Sequence, residues 1–230
     1  MLPHERLIVA ADLSSREALL RLVDDLQETV GMFKIGLQAF IANGPEIVRS
    51  FRQAGVSVFL DLKLHDIPTT VSRAVAEAAA LEVRMLTVHT AGGADMLTAA
   101  AGAVGDPGQP LLLGVTVLTS LGDRDLAAIG FTGTPESNAV RLAGLALRSG
   151  LNGVIASPLE IRAIRESCGP AFLIVTPGIR AASDPAGDQS RTLTAKKAME
   201  AGADFIVVGR PITGAVSPRE AALRIVESMA

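Results

Sequence analysis

Short apolar runs alternate along the chain with longer stretches whose apolar residues recur every three or four positions. The runs Leu7–Asp12, Met32–Gly36, Phe59–Lys63, Met85–Thr90, Leu111–Val117, Gly153–Ala156, Phe172–Thr176 and Phe205–Gly209 have strand length. Between them lie helical patterns. One opens at Ser14, with Glu17 three residues on as a capping box requires, and carries the stripe Leu19, Leu20, Leu22, Val23 and Leu26. Others are expected over Pro45–Ala54, Val71–Leu81, Ala94–Ala103, Pro135–Ser149, from Pro158, over Thr194–Ala201 and over Ser217–Ser228. Strands alternating with helices predict a parallel α/β sheet.

The joints between helix and strand repeat as Ala54-Gly55-Val56, Ser149-Gly150-Leu151 and Ala201-Gly202-Ala203. Eight such βα units predict a (β/α)8 TIM barrel over residues 1–230, with no internal domain boundary. An open doubly wound sheet would want a G-x-G-x-x-G turn after the first strand. Asp12-Leu13-Ser14-Ser15 is not one.

Composition agrees with that architecture. The chain has 230 residues, 49% of them hydrophobic, with no Trp or Tyr and seven Phe, so Val, Ile, Leu and Ala must build the core. A net charge of −3 without a basic run argues against a nucleic-acid partner. The single cysteine, Cys168, excludes an internal disulfide and fits a reducing compartment. No apolar run is long enough to span a bilayer, and the N-terminus lacks the organisation of a secretory signal. A soluble, cytoplasmic protein without a membrane partner is expected.

The candidate chemistry sits on the third strand. Side chains alternate along it, so Val58, Leu60 and Leu62 share an apolar face while Phe59, Asp61 and Lys63 share the other. Asp66 adds a carboxylate three residues past the lysine. Charges on the inward face of a core strand mark either a buried ion pair or an active site, and spacing alone leaves both open. The other strand ends decide for a site. Asp12 ends the first strand and Lys34 lies late in the second; Thr119 and Ser120 follow the fifth, Arg180 the seventh, and Gly209-Arg210 ends the eighth. In a barrel these converge on the C-terminal mouth, where barrel active sites lie.

The stretch from Pro177 through Arg191, which contains Ser183–Gln189, is too long and too polar for a tight connection; it predicts a mobile lid over that mouth, with a disordered surface loop as the alternative. Arg180 and Gln189 are suited to grip a phosphate or a base, and the last loops of barrels often bind phosphate, here through Gly209 and Arg210. A phosphorylated small molecule is the expected substrate class. His89, ending the fourth strand, reads as a hydrogen-bonded structural residue, and His65 is given no chemical role. Ammonium groups interleaved with the carboxylates oppose a metal site.

The segments VAAD (9–12), FKIG (33–36), DLKLHDIPTT (61–70), VHTAGG (88–93), VTVLTS (115–120), TPGIR (176–180) and VVGRPIT (207–213) together resemble the orotidine 5′-phosphate decarboxylase family, in its shorter bacterial form. The D-x-K-x-x-D core is shared with related phosphosugar barrels; DIPTT, TPGIR and VGRPIT sharpen the match. The resemblance implies a cofactor-free and metal-free conversion of orotidine 5′-monophosphate to UMP and CO2, the last step of de novo UMP synthesis. It implies that Lys63 protonates C6 of the pyrimidine and that Lys34, Asp61, Lys63 and Asp66 form a charged array around the reacting carbon. Asp12 and Lys34 would contact the ribose, Thr119 and Ser120 would lie beside the pyrimidine, and Arg180, Gln189, Gly209 and Arg210 would hold the phosphate. It further implies a homodimer in which Asp66 and Thr70 reach into the neighbouring subunit's site. Two departures from the family pattern stand out: Ala186-Gly187-Asp188-Gln189 lacks a more acidic pair, and Thr192-Leu193-Thr194 stands where Thr-Pro is usual. The nearest rivals are a sugar-phosphate decarboxylase or aldolase using a divalent cation, and a catalytically silent nucleotide-binding protein.

Overall fold

A computed structural model describes residues 1–105, 110–180 and 192–229. Eight parallel strands close into a barrel in sequence order: β1 (Leu7–Ala10), β2 (Met32–Gly36), β3 (Val58–Leu64), β4 (Met85–His89), β5 (Leu111–Val115), β6 (Gly153–Ile155), β7 (Leu173–Thr176) and β8 (Phe205–Val208). Closure is made by β1 against β8, with Leu7, Ile8 and Val9 opposite Ile206, Val207 and Val208. Around the barrel run α1 (Arg16–Leu26), α2 (Leu37–Asn43), α3 (Glu46–Gln53), α4 (Pro68–Ala80), α5 (Gly93–Gly102), α6 (Asp123–Ala128), α7 (Pro135–Arg148), α8 (Ile161–Cys168), α9 (Ala195–Ala201), α10 (Arg210–Thr213) and α11 (Pro218–Ser228).

Strand alternation sorts the apolar residues into two layers. Ile8, Ala10, Met32, Phe59, Met85, Leu113, Val175, Phe205 and Val207 fill the barrel interior. Their strand neighbours, such as Leu7, Val9, Phe33, Leu60, Leu86 and Ile206, pack outward against the helices. A filled interior closes the barrel from below, so the C-terminal mouth is left as a cup. Each fully buried side chain of the Leu or Phe class contributes about 1.5–3 kcal/mol by its removal from water.

The repeated joints have a physical basis. Gly55, Gly150 and Gly202 all take positive φ (81°, 85° and 105°), where a side chain is strained, and each ends a helix just before a strand. Gly153 serves packing instead: a Cβ there would lie 2.3 Å from the Leu173 carbonyl oxygen of the adjacent strand.

Three expectations need correction. The cap of α1 is Ser15, which accepts from the Ala18 amide; the Ser14 hydroxyl is taken by Gln38 Nε2 at 3.0 Å, a tertiary partner that local pattern cannot reveal. Asp12 lies beyond the end of β1, which stops at Ala10. The expected set of helices also lacks the short α2, α6 and α10, because four to seven residues carry too few turns to show a period.

Candidate active site

The mouth holds a cavity of about 330 Å³ whose lining includes Asp12, Lys34, Asp61, Lys63, Thr119, Arg180, Gly209 and Arg210. Seven of the eight strands bring a residue to its wall or lead directly into one that does. The charges fall on two sides. Across β1–β3 runs an alternating chain of two carboxylates and two ammonium groups; the guanidinium groups of Arg180 and Arg210 enter from the ends of β7 and β8.

The alternating chain is continuous. Lys34 Nζ lies 3.2 Å from Asp12 Oδ1 and 3.4 Å from Asp61 Oδ2. Lys63 Nζ donates to both Asp61 oxygens, at 2.9 and 2.8 Å. Gly36 makes room for this chain: a Cβ on it would lie 2.8 Å from Asp12 Oδ1 and 2.9 Å from Lys34 Nζ. The FKIG segment therefore carries two requirements, the ammonium of Lys34 and the bare backbone beside it.

Asp61 is the buried centre of the chain, 7% exposed. Burial alone would raise its carboxyl. The charges of Lys34 and Lys63, with hydrogen bonds from Lys63 and Thr87, outweigh that and hold it below the usual carboxylate range. Asp61 is thus an anion held in place by cations on two sides.

Lys63 sits on unusual backbone. Its φ is +52°, one of two positive values among the described non-glycine residues, and it lies where the pairing of β3 with β4 jumps from Leu60↔Leu86 to Leu64↔Val88. For an L-residue this left-handed conformation costs on the order of 1–2 kcal/mol. Residues between the two pairings lose their β4 partners, and the Lys63 amide donates instead to Thr87 Oγ1 at 2.8 Å. Thr87 in turn donates to Asp61 Oδ1 at 3.0 Å. Sequence alternation placed Asp61 and Lys63 on the inward face correctly but gave no sign of the irregular pairing or of Thr87.

Other expected site residues are placed elsewhere. Asp66 and Thr70 are exposed and outside the cavity lining; Asp66 Oδ1 accepts from the Ile67 amide at 2.6 Å. Ser120 is exposed and is not among the lining residues, whereas Thr119 is. Gln189, with the rest of the stretch from Ser183, lies outside the described residues. Among the described residues, only Ala10 Cβ comes near the missing Cβ of Gly209, at 3.5 Å, and Gly209 lines the cavity.

His89 departs from its expected role. Its Nδ1 is buried without a hydrogen-bond partner among the described residues, and its ring stacks on His65 with centroids 5.2 Å apart and planes at 24°. Burial, then the nearby His65 and Lys63, push its pKa down. Among the described residues no three His, Cys, Asp or Glu side chains gather as a metal site.

A (β/α)8 barrel whose mouth pairs a lysine–carboxylate chain with two arginines defines a protein for small anionic ligands. The chain belongs to the orotidine 5′-phosphate decarboxylase / HUMPS family, whose sequence model matches residues 5–225. It is 47% identical to the orotidine 5′-phosphate decarboxylase of Syntrophotalea carbinolica, covering 99% of this chain and 96% of that protein. The enzyme of the same name from Moorella thermoacetica is 48% identical, with 96% and 90% covered. Among solved structures, the orotidine 5′-phosphate decarboxylase of Lactobacillus acidophilus superposes with a TM-score of 0.85 at 37% identity, covering 97% and 98% of the two chains.

Proposed function

We propose that this chain decarboxylates orotidine 5′-monophosphate to UMP and CO2, the final step of de novo UMP synthesis. The observation that carries the reading is the Asp12–Lys34–Asp61–Lys63 chain on one wall of a cavity whose other side is lined by Arg180 and Arg210. A nucleotide fits that polarity: phosphate towards Arg180, Arg210 and the Gly209 backbone, ribose towards Asp12 and Lys34, pyrimidine beside Thr119 and over Lys63.

Loss of CO2 leaves a carbanion at C6. A fixed ammonium aimed at that carbon stabilises the charge as it develops, then delivers the proton. Lys63 takes that role because its Nζ is tethered through both Asp61 oxygens and its side chain is 31% exposed, facing the cavity. The Asp61 carboxylate, kept ionised, lies where it opposes the substrate carboxylate in the ground state. Binding energy from the distant phosphate offsets that repulsion, so Arg210 affects turnover although it acts far from C6. No step calls on a cofactor or a metal.

Asp66 and Thr70 are best accounted for in a homodimer. Both are exposed on the segment that follows β3, and the apolar side chains Ile67, Leu37 and Ile41 are exposed after β3 and β2 on the same side of the mouth (66%, 53% and 79%). Covering that patch with a second copy would remove it from water and carry Asp66 and Thr70 towards the partner's cavity. A cytoplasmic location accords with this biosynthetic step; no helix among the described residues is long and apolar enough to cross a membrane.

The family also spans sugar-phosphate chemistry, and the lysines interleaved with the carboxylates favour the nucleotide reading over a cation-dependent one. Purified protein is expected to release CO2 from orotidylate with unchanged rate after exhaustive chelation. Absence of CO2 release sinks the assignment, and loss of that release with chelator overturns the metal-free reading of the site.

A further inference from the structure

We propose that Thr87 is a positioning residue for the reaction, its hydroxyl locking the Lys63 backbone and the Asp61 carboxylate into one unit. The inference rests on the orotidylate reading of the mouth and adds a residue to it.

Thr87 stands in the middle of β4 and is 0% exposed. Alternation along β4 turns it inward with Met85, which belongs to the apolar interior layer. A hydroxyl in that layer is costly unless both its donor and its acceptor capacity are used. Here both are. The Oγ1 accepts from the Lys63 amide at 2.8 Å and donates to Asp61 Oδ1 at 3.0 Å. The ionised Asp61 can only accept, so the hydroxyl proton must point to it and the oxygen lone pairs are left for Lys63. The polarity of the relay is therefore fixed.

The relay has something to hold. The jump in pairing between Leu60 and Leu64 removes the β4 partners of residues 61–63; Asp61 keeps Gly36 of β2 opposite it, and Lys63 sits at φ +52° beyond that last β2 pair. A left-handed lysine relaxes unless its surroundings over-determine it. Thr87 supplies the amide partner at that residue, while the Lys63 side chain closes the loop through Asp61 at 2.8 and 2.9 Å. Backbone, hydroxyl, carboxylate and ammonium thus form one ring of hydrogen bonds, and the direction of Nζ follows from it.

Valine matches threonine in shape and lacks the hydroxyl, whereas serine keeps the hydroxyl. For Thr87→Val we expect kcat to fall by about 10- to 100-fold, the loss typical of one buried hydrogen bond to a charged group. Affinity for UMP should be largely unchanged, because the phosphate and ribose contacts lie elsewhere. The acid limb of the kcat/KM profile should move to higher pH, since Asp61 loses a donor that helps to hold its carboxyl down. Thr87→Ser should restore kcat and the acid limb. Amide hydrogen exchange at Lys63 should quicken in Thr87→Val and remain slow in Thr87→Ser.

Wild-type kcat in Thr87→Val overturns the proposal. So does a loss shared equally by Thr87→Ser, or a fall in UMP affinity that matches the fall in kcat, because either marks general disruption of the barrel. Should Thr87→Val fail to fold, Thr87→Cys fills similar space with a weak donor and carries the same expectation. Full kcat in that variant is equally fatal. If the wild-type protein releases no CO2 from orotidylate, the functional reading has failed, and Lys63 amide exchange alone decides for or against Thr87.

Discussion

Two ion networks stand at opposite ends of this barrel and are built to different purposes. At the N-terminal floor, Arg165 Nη2 meets Asp204 Oδ2 at 2.6 Å, and the same guanidinium donates to the carbonyls of Gly169, Phe172 and Gly202 at 3.0, 2.6 and 2.7 Å. Asp204 Oδ2 also accepts from the Ile174 amide at 2.8 Å, and Arg6 donates to the Ala203 and Asp204 carbonyls at 2.5 and 2.9 Å. Donors at the floor are spent on the protein's own backbone. At the mouth, Lys34 and Lys63 meet carboxylates only through a short chain of side chains, and all four groups line an open cavity. A network that closes on backbone staples the chain; one that faces a cavity is available to a ligand.

The largest effect should come from the open network. Lys63→Ala is expected to reduce CO2 release from orotidylate to background in protein that remains folded, because Lys34 still faces the buried Asp61 carboxylate. Substantial turnover in that variant would count decisively against Lys63 as the proton donor. If the site is shared, mixing Lys63→Ala with Asp66→Asn subunits should recover part of the activity, because one mouth of each heterodimer is then intact. No recovery after confirmed subunit exchange argues against the shared site.

The closed network should respond the other way. Arg165→Met keeps the stem but removes the fork, leaving the carbonyls of Gly169, Pro170, Phe172 and Gly202, and Asp204, without a donor that they share. Chemical denaturation should show a loss of about 2–3 kcal/mol, below the cost of breaking a fully buried pair because both partners are about one-fifth exposed. Turnover per folded molecule should stay near that of the wild type. A variant with intact stability and impaired kcat would dissolve the distinction between floor and mouth.

How legible each network was in the sequence follows from the range of the forces that make it. The barrel was readable because its βα units repeat local signals: an apolar run, an amphipathic stripe and, at several joints, a glycine. Asp12, Lys34, Asp61 and Lys63 were readable as a group because strand ends in a barrel must share one mouth. What escaped was set by contacts between elements. Ser15 rather than Ser14 caps α1 because Gln38 competes for the latter. The displaced pairing at Lys63 depends on how β3 lies against β4, and Thr87 enters the site only through that pairing. Gly36 escaped as well, because the groups that a Cβ would strike, Asp12 Oδ1 and Lys34 Nζ, come beside it only once β1 and β2 are paired. The floor escaped for the same reason, since Arg165 and Asp204 look like ordinary helix and loop charges until β7 and β8 are paired.

The smallest effect is expected of His89, which belongs to neither network. Burial of the ring, then the charges of His65 and Lys63, hold its pKa below the ordinary imidazole value. In the unfolded chain the same imidazole takes a proton near its usual value of about 6.5. The unfolded state therefore binds more protons below that point, and stability present above about pH 6.5 is lost as pH falls towards the folded-state value. His89→Phe keeps a flat ring against His65 and cannot titrate. Denaturant titrations at neutral and mildly acidic pH should show a shallower loss of stability in this variant than in the wild type. An identical slope would mean that the buried Nδ1 costs the fold nothing on protonation, and that the stacked pair opens to water more readily than its geometry suggests.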